Sequence, residues 1–239
     1  MIIFQVVSVN IKIVKLGGVI LRKVFEEELK SLFVHLTKLG IAANESVHKA
    51  IKAHNTNDKE LAKELFADDL KINALTLEIE KEAYRIIALQ QPVASDLRLV
   101  FTVLTSSLDI ERIADHAVSI GRAVIRRQET DQQVQELNDV INKMAETAQA
   151  MISDAMDAFV NRDADRARAV AEMDEIVDGG LKEIYNESSK RMQKNTDMVP
   201  SGINYINIGT SLERIGDYVT NICERIVYLN TGEFIELNK

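Results

Sequence analysis

The chain has 239 residues, 46% of them apolar, with two prolines, ten glycines and no tryptophan. That is enough for one large domain or two small ones, and the scarcity of helix breakers predicts long helices. A net charge of −8 excludes general nucleic-acid binding, which needs an excess of Lys and Arg, and a lone Cys223 excludes an internal disulfide. A reducing cytoplasm is the expected compartment, and Cys223 reads as a small buried hydrophobe.

Residues 2–21 depart from the helical style. Their β-branched content, taken alone, reads as a strand and a turn. No positive charge precedes the apolar run and no small-residue cleavage site follows it, so it makes a poor signal peptide. Gln5, Asn10, Lys12 and Lys15 interrupt it too often for a membrane span. Leu16-Gly-Gly-Val19 can be encoded around a purine-rich ribosome-binding sequence, and Leu21 by a TTG start codon. Residues 1–21 are therefore expected to be a misassigned, non-native upstream extension, which the nucleotide sequence would settle.

From about Arg22 apolar residues recur at three- and four-residue steps: Phe25, Leu29, Leu32, Phe33, Leu36 and Leu39, continuing through Ala43, Val47 and Ile51. A polar break at 54–58 ends this helix, and Asp58 is placed to cap the next. The second helix carries Ala62, Leu65, Ile72, Ile79, Ala83 and Ile86 and stops near Gln91-Pro92. Ser95 or Asp96 can cap a third, running through Leu97, Phe101, Leu104, Leu108 and Val118 to about Arg127. A polar joint, 128–133, follows, and the scheme repeats. One helix spans 134–160, and a second starts at Asp163, where Asp58 stood, and reaches about Met192. Asn195-Thr-Asp197 opens the last, with Pro200 tolerable in its first turn and Gly232 ending it.

The second helices align at an offset of 105: Asp58, Ala62, Leu65, Asp69 and Ile72 match Asp163, Ala167, Val170, Asp174 and Val177. Across the third helices the offset is 102, where Ile110-Glu-Arg-Ile-Ala-Asp115 matches Leu212-Glu-Arg-Ile-Gly-Asp217. This duplication predicts an all-α fold of two homologous antiparallel three-helix bundles with pseudo-two-fold symmetry, over residues 22–128 and 129–239.

Glu111 with Asp115, and Glu213 with Asp217, stand four apart, which puts each pair on one helix face. The apolar seam 97-101-104-108-111-115-118 passes through the first pair, and 199-203-206-210-213-217-220 through the second. Asp69 and Asp174 fall between seam residues of the second helices, with Asn73 and Asp178 one turn further on. Six carboxylates at expected core positions need compensation, because burying an unpaired carboxylate costs several kcal/mol. Arg112 and Arg214 each lie one residue from a Glu and are expected to point about 100° away from it, by helix geometry. Three solutions stay open: bound cations, ion pairs with other helices, or a wet polar groove. An all-oxygen set suits Mg²⁺, Ca²⁺, Mn²⁺ or iron. His116 has the wrong spacing for the Glu-x-x-His pairs of di-iron oxidases. No phosphate-cradling loop, nucleophile elbow or Cys/His cluster is present, so an enzyme is not expected.

Gln90-Gln-Pro-Val-Ala-Ser-Asp-Leu-Arg98, Asp109-Ile-Glu-Arg-Ile-Ala-Asp-His-Ala117 and Leu212-Glu-Arg-Ile-Gly-Asp-Tyr-Val-Thr-Asn-Ile222 resemble the PhoU family, from about residue 22 to the C-terminus. The resemblance implies a cytoplasmic negative regulator of phosphate uptake and phosphate-starvation signalling. It would act by docking to the ATPase subunit of the Pst phosphate transporter and to a sensor histidine kinase, meeting the membrane only through those partners, with a homodimer as the expected assembly. It further implies multinuclear metal clusters at Glu/Asp-x-x-x-Asp motifs, which places ligands at Asp69, Asn73, Glu111 and Asp115 and at Asp174, Asp178, Glu213 and Asp217. Iron, manganese, magnesium or zinc are the implied ions. Copy one departs from the motif at Asn73, so its cluster has one charge fewer. The alternative function is a metal-storing or structural bundle.

Overall fold

The computed structural model describes residues 23–237, and the expectations for residues 1–21 lie outside them. The described residues form seven α-helices and one 3₁₀ turn: α1 (Ile2–Thr56), α2 (Lys59–Gln90), α3 (Ala94–Arg126), α4 (Gln135–Asn161), α5 (Ala164–Glu172), α6 (Asp174–Lys194), the 3₁₀ turn Thr196–Met198, and α7 (Val199–Thr231). No strand occurs among the described residues.

The helices start and stop where local chemistry demands it. Asp58 and Asp163, both in extended backbone, accept hydrogen bonds from the amides of Leu61 and Arg166, each at 2.9 Å. Replacing either aspartate with alanine orphans a first-turn N–H and is expected to lower stability by about 1 kcal/mol in urea titration. Gly232 closes α7 with φ +77°, its N–H bonding Tyr228 O at 2.8 Å. Two boundaries differ from expectation. Neither Ser95 nor Asp96 caps α3, which begins at Ala94 behind an extended Val93 with no side-chain cap. The expected single helix from Asp163 to Met192 is broken at Met173, where the Met173 and Ile176 amides bond the carbonyls three residues back, Val170 and Met173, at 3.0 Å. That tightened turn sits immediately before Asp174.

α1, α2 and α3 form one bundle, and α4, the α5–α6 pair and α7 form the other. The buried residues of α1 and α4 correspond one to one at the offset of 105: Leu32, Leu36, Leu39, Ala43, Val47 and Ala50 match Leu137, Ile141, Met144, Ala148, Ile152 and Ala155. The bundles join along antiparallel α1–α4 and α3–α7 pairs into one core. Asn44 Nδ2 donates to the carbonyl of Gln149, its own counterpart, at 3.3 Å. His116 lies 5.8 Å between ring centroids from Tyr218, its own counterpart. A residue meets its equivalent only on a two-fold axis, so the pseudo-axis runs through these two contacts.

The two ends of that junction are chemically unlike. At one, His54, Arg127, Asn138 and Tyr205 form a buried polar network. Arg127 Nη2 donates to His54 Nδ1 at 3.0 Å, His54 Nε2 reaches Asn138 Oδ1 at 3.2 Å, and Tyr205 OH donates to the same oxygen at 2.9 Å. The equivalent positions at the other end are Phe159, Leu229, Phe33 and Val103, with the two phenylalanine rings stacked at 4.4 Å.

Candidate metal centre

α2 and α3 bring Asp69, Asn73, Glu111 and Asp115 to one cluster, and α6 and α7 bring Asp174, Asp178, Glu213 and Asp217 to another. The electrostatics show each grouping. Burial pushes the Asp69 carboxyl up, and Asp115 pushes it further. Glu111 is raised by burial, then by Asp115, Asp69 and Glu80, against the pull of Arg112. In the second cluster burial, then Asp178 and Asp217, drive Asp174 up to about 7. Glu213 is raised by burial, Asp217 and Asp178, against Arg214.

The expected core seam of α3 is displaced. Phe101 and Leu108 are exposed, and the buried stripe runs through Leu99, Val100, Val103, Ile110, Ile113, Ala114 and Ala117. α3 packs on α1, α2 and α7 at once, so it buries a wide arc whose centre lies about a third of a turn from the seam. On α7, likewise, Val199 and Ile203 are exposed while Tyr205, Ile208, Leu212 and Ile215 are buried. Glu111, Asp115, Glu213 and Asp217 therefore stand on the rim, with side chains 25%, 42%, 21% and 25% exposed. The arginines are also better placed than one-residue spacing suggested. Arg112 folds back to 3.7 Å from Glu111 and 3.5 Å from Asp115, and Arg214 to 3.6 Å from Glu213 and 3.1 Å from Asp217. Both guanidiniums are more than half exposed, so these pairs contribute only about 0–1 kcal/mol.

Asp174 is the exception, 4% exposed. Its Oδ2 accepts from the Thr220 hydroxyl at 3.4 Å, while its buried Oδ1 has no hydrogen-bond partner. The depth comes from Gly216: a Cβ there would collide with Asp174 Oδ1. At the equivalent positions of copy one stand Ala114 and Val118, and Asp69 is only half-buried. Asp69 Oδ2 accepts from Asn73 Nδ2 at 3.3 Å, leaving Asp69 Oδ1 and Asn73 Oδ1 unpartnered. Gly216 and Thr220 were not singled out from the sequence. Laying the α3 and α7 segments side by side and asking where they differ would have found both.

The donor set fits a hard cation: carboxylate oxygens, one of them orphaned and nine-tenths buried, with no neutralising group at depth. The side chains have not converged into a coordination sphere, since no group of three His, Cys, Asp or Glu stands in metal-holding geometry among the described residues. Holding an ion therefore requires the rim carboxylates Glu213 and Asp217 to rotate off Arg214 toward Asp174.

A family model described as the PhoU domain matches the chain twice, over residues 36–124 and 141–226. The chain belongs to the PhoU family. A phosphate-specific transport system accessory protein PhoU homolog from Clostridium acetobutylicum is 36% identical over 218 residues, covering 91% of this chain and 99% of the relative. The crystal structure of the phosphate transport system regulatory protein PhoU from Streptococcus pneumoniae superposes with a TM-score of 0.82 at 34% identity, over 88% of this chain and 99% of that one. PhoU from Pseudomonas aeruginosa gives 0.83 at 34% identity, over 87% and 100%. The all-α fold of two repeated bundles is thus the PhoU fold. No helix among the described residues is long and apolar enough to cross a membrane.

Proposed function

We propose that this PhoU-family chain is a cytoplasmic negative regulator of phosphate uptake and phosphate-starvation signalling. It acts as a homodimer that docks on the ATPase subunit of a phosphate transporter and on a sensor histidine kinase, and it is not an enzyme. The observation that carries this reading is the match over nine-tenths of the chain to a relative named as an accessory protein of the phosphate-specific transport system. A rigid bundle with extended exposed helix faces suits docking. Deleting the gene is expected to derepress a phosphate-starvation reporter in phosphate-rich medium, and a silent reporter would favour a storage or structural bundle instead.

A cation at the second cluster belongs to the same proposal. Asp174, Asp178, Glu213 and Asp217 would hold it, and the ion would neutralise charge at the buried carboxylate and tie α6 to α7. Iron, manganese, magnesium and zinc are the candidates, and the first cluster, with Asn73, is the weaker site. Glu213→Ala with Asp217→Ala is expected to lose most of the bound metal by elemental analysis of protein purified without chelator. Unchanged metal content would place the ligands elsewhere.

A further inference from the structure

The exposed face shared by α2 and α3 carries two apolar rows in copy one, whereas the equivalent face of copy two exposes Tyr185, Val199 and Ile203. Leu70, Leu77 and Tyr84 recur at seven-residue steps on α2 and are 70%, 48% and 57% exposed. Phe101 and Leu108 on α3 are 45% and 44% exposed. The register of the two antiparallel helices is marked by Leu65 at Gly121 and by Phe66 beneath the Arg122 guanidinium at 5.6 Å. It sets Leu77 level with Leu108 and Tyr84 level with Phe101. α1 takes the opposite flank of α2, held by Lys49 on Asp68 at 2.5 Å and His35 on Glu82 at 2.9 Å.

Copy two supplies the internal control. Where copy one has Leu70, Leu77, Tyr84 and Leu108, it has Glu175, Lys182, Ser189 and Thr210; only Phe101 keeps an apolar counterpart, Ile203. The same scaffold thus tolerates polar side chains at four of five positions, and folding does not require the apolar ones. Exposed apolar rows of this extent mark interaction surfaces. Between the two rows lie four carboxylates, Asp69, Glu80, Glu111 and Asp115, with Arg112 beside Glu111 and Asp115 and Arg122 acting on Asp69.

We propose that this trough is a docking groove for an amphipathic helix of a partner protein, whose apolar stripe seats between the two rows and whose lysines or arginines meet the four carboxylates. Leu70 to Tyr84 spans fourteen residues, about 21 Å at 1.5 Å per residue, so the groove accommodates roughly four helical turns. The two copies have then divided the work, the second keeping its carboxylate deep and the first turning the equivalent face toward a cationic helix. This deepens the docking function proposed above and names the face and the chemistry of what it takes.

The test is anisotropy with a labelled eighteen-residue helix of leucine and lysine, leucines spaced i, i+4, i+7 and i+11, alongside a scrambled peptide of the same composition and a glutamate-for-lysine version. Saturable binding of the first alone is expected. It should weaken at least tenfold in Leu77→Lys with Leu108→Thr, which borrows copy two's residues and keeps the fold, as circular dichroism would verify. Lys182→Ala should leave it unchanged. Equal binding by wild type and the double variant overturns the proposal. So does a dimer, by light scattering, that becomes a monomer in the double variant, since the groove would then be a contact between copies. The same variant separates this proposal from the function itself. Derepression on gene deletion with full rescue by the double variant sinks the groove and leaves the regulator standing. A silent deletion with site-specific peptide binding does the reverse.

Discussion

Asp174→Asn is expected to stabilise the chelator-treated protein at pH 8 by on the order of 3 kcal/mol, with the gain shrinking toward zero by pH 4. Asp174 is driven up to about 7 from the ordinary 3.8 by burial, then by Asp178 and Asp217. The folded state therefore holds a proton that the unfolded chain releases between those values. Stability falls as pH rises through that window, and above it the full penalty of an ionised, unpartnered, buried carboxylate remains. Asparagine occupies similar volume without the charge, so the penalty disappears. Urea titrations at pH 4 and pH 8 with chelator present read the difference, and equal stability of the two proteins at pH 8 would show that Asp174 does not carry a buried charge. A carboxylate that destabilises its own fold persists where something outside the chain compensates it, which is the physical case for a cation at this cluster.

His54→Ala is expected to cost on the order of 3 kcal/mol, because it leaves Arg127, itself 6% exposed, without the Nδ1 acceptor that satisfies Nη2. The network also fixes the tautomer: with Nδ1 accepting from Arg127, the proton sits on Nε2 and is donated to Asn138. Protonating Nδ1 would set a second cation against the guanidinium. Burial, then Arg127, hold His54 down at about 4 from 6.5. Its contribution is complete above pH 6.5 and is lost as pH falls toward 4, opposite in sign to that of Asp174. In the metal-free wild type the two slopes oppose each other from pH 4 to 6.5, on top of the downward slope of Asp109, which burial raises to about 6. Relative to the metal-free wild type, the Asp174→Asn protein should gain stability as pH rises over that range, and the His54→Ala protein should lose it. Pairing His54→Ala with Arg127→Ala should cost much less than the sum of the two, since the first loss already disables the second residue's hydrogen bond.

The repeat made most of the fold legible. Periodicity located the buried residues of α1, α2 and α4, and the two aspartate caps were visible as matching breaks. The seam of α3 was misplaced because one-dimensional periodicity finds a stripe of apolar residues without telling whether it faces the core or a partner. Phe101 and Leu108 satisfied the pattern and lie outside. The break at Met173 has no Pro or Gly to announce it. At the candidate site the carboxylates were all readable from spacing, but the difference in depth between the clusters was not. It rests on what Asp174 and Asp69 meet from the neighbouring helix, Gly216 against Ala114, which is a property of packing between helices rather than of any local motif.

His116 meeting Tyr218 and Asn44 meeting Gln149 place both halves of the chain in the relation that two identical subunits would have. In a true homodimer every substitution enters twice, so an arginine at one end of the junction brings an arginine at the other, each in need of its own acceptors. Carrying the two halves on a single polypeptide lifts that constraint. Arg127 could be installed with His54, Asn138 and Tyr205 around it while Leu229 stayed among phenylalanines, and the same freedom let one acidic cluster sink behind a glycine as the other stayed shallow. Covalent linkage here is a licence for asymmetry, and each half can be tuned without obliging the other to follow.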